Sequence, residues 1–132
     1  MQISLELRHL IYVALLSAIV WLPYVSAHIA TVGVKKAFSY PDRADMPAWA
    51  GRLKRAHYNL LENLPLFIVA VLAGELQDVH TGITVACARV FFWARVAHLI
   101  AAVSHVWGAR TVTFAVGWVA TLVYLFTVLV TP

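Results

Sequence analysis

Long apolar runs separated by short polar interruptions dominate the chain, and the runs are too long for strands. They extend from about Leu7 to Val34, from about Arg55 to Gly74, from about Ile83 to Val106 and from about Thr111 to Val130. A helix rises about 1.5 Å per residue, so about 20 apolar residues cross the roughly 30 Å hydrocarbon layer of a bilayer. Each run is long enough. The one long polar stretch, residues 35–54, holds Lys35, Lys36, Pro41, Asp42, Arg43, Asp45, Pro47, Gly51, Arg52 and Lys54, a density of breakers and charges that leaves the lipid. The pattern predicts an all-α fold, an integral membrane four-helix bundle that uses residues 1–132 as one transmembrane domain. Pro23 predicts a kink in the first helix. Arg8 ahead of an apolar run, with Val25-Ser26-Ala27 behind it, resembles a cleavable leader; the segment is nonetheless expected to be retained as a span.

Composition narrows the class. Hydrophobic residues make up 62% of the chain and charged residues 12%, against about 45–50% and about 25% in ordinary soluble domains, which excludes a soluble globular protein. The net charge of +4 could suggest nucleic acid, but the cations gather in one loop beside the helices, as cytoplasmic loops of membrane proteins do. No nucleic-acid partner is expected; membrane lipid is. The first loop carries Lys35, Lys36, Arg43, Arg52, Lys54 and Arg55, whereas the second carries Glu75, Asp78 and His80 with no lysine or arginine. That asymmetry puts the first loop in the cytoplasm and, after four crossings, both termini on the opposite side. The single cysteine, Cys87, allows no intrachain disulfide and reads as a small buried hydrophobe.

Polar residues within the spans carry the candidate chemistry. Arg55, Asn59 and Glu62 are spaced i, i+4, i+7 and stack on one helical face. An acidic residue at a helix centre costs about 2.5–3.5 kcal/mol to insert, so Glu62 needs a cation, a proton or a water-filled site. The third helix supplies Arg89, Arg95 and His98. At about 1.5 Å per residue Arg95 lies about 16 Å from the cytoplasmic end and Glu62 about 10–15 Å, so a buried Glu62–Arg95 ion pair is expected, with His98 on the face of Arg95. Arg89 reads as an anchor nearer the other surface. With Arg55, Arg89, Arg95 and Arg110 in or at the ends of these spans and Glu62 neutralising one guanidinium, the bundle has surplus positive charge suited to an anionic ligand bearing carboxylates. His9, His28, His57, His80 and His105 lack metal-ligand spacing, and no metal is expected.

The second helix, Arg55-Ala56-His57-x-Asn59-x-x-Glu62-x-x-Pro65, resembles the signature of the MAPEG superfamily, the membrane-associated proteins in eicosanoid and glutathione metabolism. Lys35-Lys36-Ala37-Phe38 followed by Pro41-Asp42, Arg95-Val96-Ala97-His98, and Arg110-Thr111 resemble further stretches of its microsomal glutathione transferase and microsomal prostaglandin E synthase branch. The resemblance covers residues 31–118. It implies a homotrimer that binds glutathione at subunit interfaces open to the cytoplasm, with Arg55, Asn59, Glu62, Arg95, His98 and Thr111 as glutathione-binding residues and Arg110 as the catalytic residue that holds the sulfur as thiolate. It implies a glutathione-dependent transferase or peroxidase acting on a hydrophobic small-molecule substrate. The sequence departs from the family at two positions: a tyrosine four residues after His98 is replaced by Ala102, and a basic residue near the end of the first helix by Val32. Both departures favour the alternative reading, a non-catalytic lipid-binding or scaffold member of the same fold. A small multidrug exporter fits less well, since its intramembrane glutamate would lie in the first span and arginines repel cationic drugs.

Overall fold

The computed structural model describes residues 3–39, 45–104 and 106–131; Pro41, Asp42, Arg43 and His105, named above, lie outside them. The helices are α1 (Leu5–Ile19), α2 (Trp21–Val32), α3 (Val34–Ala37), α4 (Ala48–Leu76), α5 (Gly82–Ser104) and α6 (Ala109–Val130). α1 and α2 together form the first membrane span, and α4, α5 and α6 the other three. The fold is an all-α bundle of four spans.

The interruption expected from Pro23 falls at Val20, between α1 and α2. Proline has no N–H to return to the carbonyl four residues earlier, Ile19, and α1 ends there. The second span begins earlier than its apolar run: α4 starts at Ala48, directly after Pro47, rather than near Arg55. At 29 residues it is about 43 Å long, well beyond the roughly 30 Å hydrocarbon thickness. Its first turns, with Arg52 and Lys54, therefore have room to stand in the interface, where a helix continues because water solvates the charges.

α5 is the central element, packing most extensively on α6 and also on α1 and α4. Small residues permit the close approach: Ala88, Ala94 and Ala102 on α5 and Gly117 and Ala120 on α6 are all buried, as is common where lipid gives no hydrophobic drive and packing must hold helices together. Phe67 of α4 stacks on Phe91 of α5 at 3.9 Å and meets Tyr124 of α6 edge-on at 6.3 Å. A second core lies toward the first loop, where Tyr24, Leu53, Ala56 and Leu99 meet. At the far end Ser4 caps α1, its Oγ accepting from the Leu7 N–H at 3.0 Å, and the same hydroxyl donates to Glu75 at the end of α4. Beside it the Glu6 carboxylate, 1% exposed, accepts from Thr84 Oγ1 at 2.7 Å and lies 3.4 Å from His80 Nδ1.

Candidate ligand cleft

Arg55, Asn59 and Glu62 lie on consecutive turns of α4 and border one cleft, which His98 of α5 and Arg110, Thr111 and Phe114 of α6 complete. The cleft has a volume of about 500 Å³, with Ala56 and Tyr58 also in its wall. Arg55, Glu62, Arg110 and Thr111 are exposed, Asn59 is half-buried and His98 is buried. Six of the seven candidate residues from three helices thus share one cavity.

The short connector builds this corner. Gly108 precedes α6 with φ +73°, a left-handed backbone that residues with a Cβ rarely adopt, and the chain then turns back so that Arg110 and Thr111 open α6. His98 Nδ1 lies 3.0 Å from the Arg110 carbonyl. Because a carbonyl only accepts, that nitrogen carries the proton, and Nε2 is the ring atom left for a ligand. The contact ties α5 to the first turn of α6 and fixes the imidazole that lines the cleft.

Arg95 departs from expectation. It makes no ion pair with Glu62; its Nη1 donates to Asn59 Oδ1 at 3.4 Å and its Nη2 to the Phe114 carbonyl at 3.1 Å. It is 1% exposed and lies behind the cleft wall, with its guanidinium 5.0 Å from the ring of Phe91 and 5.5 Å from that of Phe114. Equal depth had suggested the pair, but depth does not fix rotation about a helix axis. Arg95 points toward Gly117, where an added Cβ would lie 2.2 Å from Nη2, while Glu62 points outward. Arg89 is exposed and borders a separate groove with Trp93 and Ala97.

Tyr58 and Phe114 are cleft residues that the sequence reading passed over. Tyr58 precedes Asn59 in the polar stripe, and Phe114 is one turn beyond Arg110, so helical spacing from residues already chosen would have reached both. The wall facing lipid is different: between α5 and α6 a groove of about 480 Å³ is lined by apolar side chains alone, among them Cys87, Val90, Val116 and Val119.

The chain is thus a four-span membrane bundle with a partly polar cleft, bordered by Arg55 and Arg110, at one end and an apolar groove along its side. The MAPEG family model matches residues 10–130, nearly the whole chain, and the protein belongs to the MAPEG family. No curated protein and no solved structure matches the chain.

Proposed function

We propose that the protein is a glutathione-dependent membrane transferase or peroxidase acting on hydrophobic electrophiles, oriented with its first loop in the cytoplasm. The observation that carries this reading is the convergence of Arg55, Asn59, Glu62, His98, Arg110 and Thr111 on one cleft. The donor set suits the tripeptide. Glutathione has two carboxylates, an ammonium group and a thiol; arginines bind carboxylates bidentately, Glu62 is a partner for the ammonium, and Asn59 and Thr111 offer hydrogen bonds to the peptide groups. Arg110 at the open end of α6 is the cation assigned to the sulfur. A thiol near pKa 8.5 is only a few per cent ionised at pH 7, and a fixed cation beside it raises the thiolate fraction, the nucleophilic form. The hydrophobic electrophile approaches from the lipid, and the apolar groove between α5 and α6 lies on that side.

A homotrimer belongs to this reading. Arg55 and Glu62 are exposed on α4, and a second copy over that face would shield charges that lipid cannot solvate. The competing reading, a lipid-binding member without chemistry, is favoured by Ala102, which brings no hydroxyl to the α5 wall, and by the wholly apolar groove. Calorimetric titration with glutathione in detergent or nanodiscs, paired with a conjugation assay using an aryl halide, separates the two. Glutathione binding at sub-millimolar to millimolar concentration with measurable conjugation is expected. Absence of binding at millimolar glutathione leaves the lipid-binding reading.

A further inference from the structure

Two arginines stand toward the end of the bundle away from the first loop, on the side where membrane proteins carry few cations. Arg8 is one turn into α1 and Arg89 two turns into α5, about 5 and 10 Å from the ends of those helices. Both are exposed. Among the described residues neither forms an ion pair, because the carboxylates of that end, Glu6, Glu75 and Asp78, are gathered around His80. A guanidinium on the outer face of a span is costly unless it extends to the interface and meets an anion there.

The two side chains flank one aromatic patch. Arg8 precedes Tyr12 by one turn of α1, and Arg89 precedes Phe92 and Trp93 by one turn of α5. The ring of Phe92 lies 5.8 Å from that of Tyr12, 6.3 Å from His9 and 5.1 Å from Trp93. Beside Arg89 a groove of about 340 Å³ runs between α5 and α6 past Trp93, Ala97 and Thr113. It adjoins the wholly apolar groove through Val90 and Val116, which line both. Cationic toward the membrane surface and apolar toward its centre, this face matches a lipid with an anionic head and a hydrocarbon chain. We propose that the seam of α1, α5 and α6 binds one anionic phospholipid, its phosphate held by Arg8 and Arg89 and one acyl chain lying along Trp93 and Ala97. With the carboxylates of this end held by His80, nothing is offered to a choline or ethanolamine group, so a net negative head is preferred to a zwitterionic one. The groove shares no residue with the polar cleft, and the proposal stands apart from the glutathione reading; only the leaflet, the non-cytoplasmic one, follows from the proposed orientation.

A basic side chain beside anionic lipid contributes about fivefold in affinity, so two contribute about 20- to 30-fold. The test is native mass spectrometry of the detergent-solubilised protein titrated with phosphatidylglycerol or with phosphatidylcholine, reading the first lipid bound per chain. Wild type is expected to hold phosphatidylglycerol about 20- to 30-fold more tightly than phosphatidylcholine. Arg8→Gln and Arg89→Gln should each weaken phosphatidylglycerol about fivefold, and the double variant should bind the two lipids alike. Arg89→Lys, which keeps the charge, should stay close to wild type, as should Lys35→Gln with Lys36→Gln at the cytoplasmic end. Equal binding of the two lipids by wild type, a comparison that needs no variant, overturns the proposal. A preference that survives the double arginine variant, or that is lost with the two lysines instead, overturns it as well. Loss of the oligomer's mass in Arg89→Gln with phosphatidylglycerol still bound would assign this face to a second copy of the chain, and the lipid site would fall.

Discussion

Arg110 opens α6 and Arg55 lies on α4, so the two guanidinium groups reach the same cleft from different helices. Their proposed work differs, and so should their variants. Arg110→Ala removes the cation beside the sulfur and is expected to slow conjugation about 10²- to 10³-fold, the scale of a lost transition-state donor, with a smaller change in glutathione affinity. Arg55→Ala removes a carboxylate partner and is expected chiefly to raise the glutathione Kd. Steady-state kinetics with calorimetry on both variants checks the split; equal losses in binding and turnover for the two would refute it. At this scale the sequence was informative wherever spacing alone decides position. The i, i+4, i+7 stripe of Arg55, Asn59 and Glu62 reaches one cavity because helical periodicity permits little else. The Glu62–Arg95 pair was not legible in this way, because the direction of a long side chain depends on the cavity left for it, here by Gly117 on another helix.

Between elements, α1 is held to α5 by a buried carboxylate. Glu6 accepts from Thr84 Oγ1 at 2.7 Å, and Thr84 is itself fully buried. Thr84→Val keeps the shape of the side chain and deletes the donor, leaving the carboxylate with His80 alone. A buried acceptor that loses its partner costs about 1–3 kcal/mol, so thermal unfolding in detergent should fall by several degrees; an unchanged melting temperature would show that water already serves the carboxylate. Nothing in the pattern of apolar runs announced this contact. Glu6 precedes the first run and His80 stands in a short loop, and only the parallel run of α1 and α5 brings them together. The helices themselves were legible because each must be long and apolar to cross. Their ends were less so: the first turns of α4 contain Arg52 and Lys54, whose charges mark exit from lipid but not the end of a helix.

At the level of the whole molecule, the outward face of α4 is the surface on which the proposed assembly would form. Arg55, Tyr58 and Glu62 are exposed along it, and the same stripe continues through Leu66, Val69, Leu72 and Leu76. In a lone protomer Glu62 would meet lipid, at about 2.5–3.5 kcal/mol for an acidic group near the centre of a span. A neighbouring copy laid along α4 removes that cost, packs the apolar continuation of the stripe and closes the open side of the cleft. Three copies around an axis beside α4 is the arrangement proposed here, and the mass of a trimer is expected by native mass spectrometry in mild detergent. Glutathione should raise the trimer's resistance to dissociation, because a ligand seated between copies binds only the assembled state. A monomer that still binds glutathione would refute this proposal, since the cleft of a single chain would then be complete without a partner.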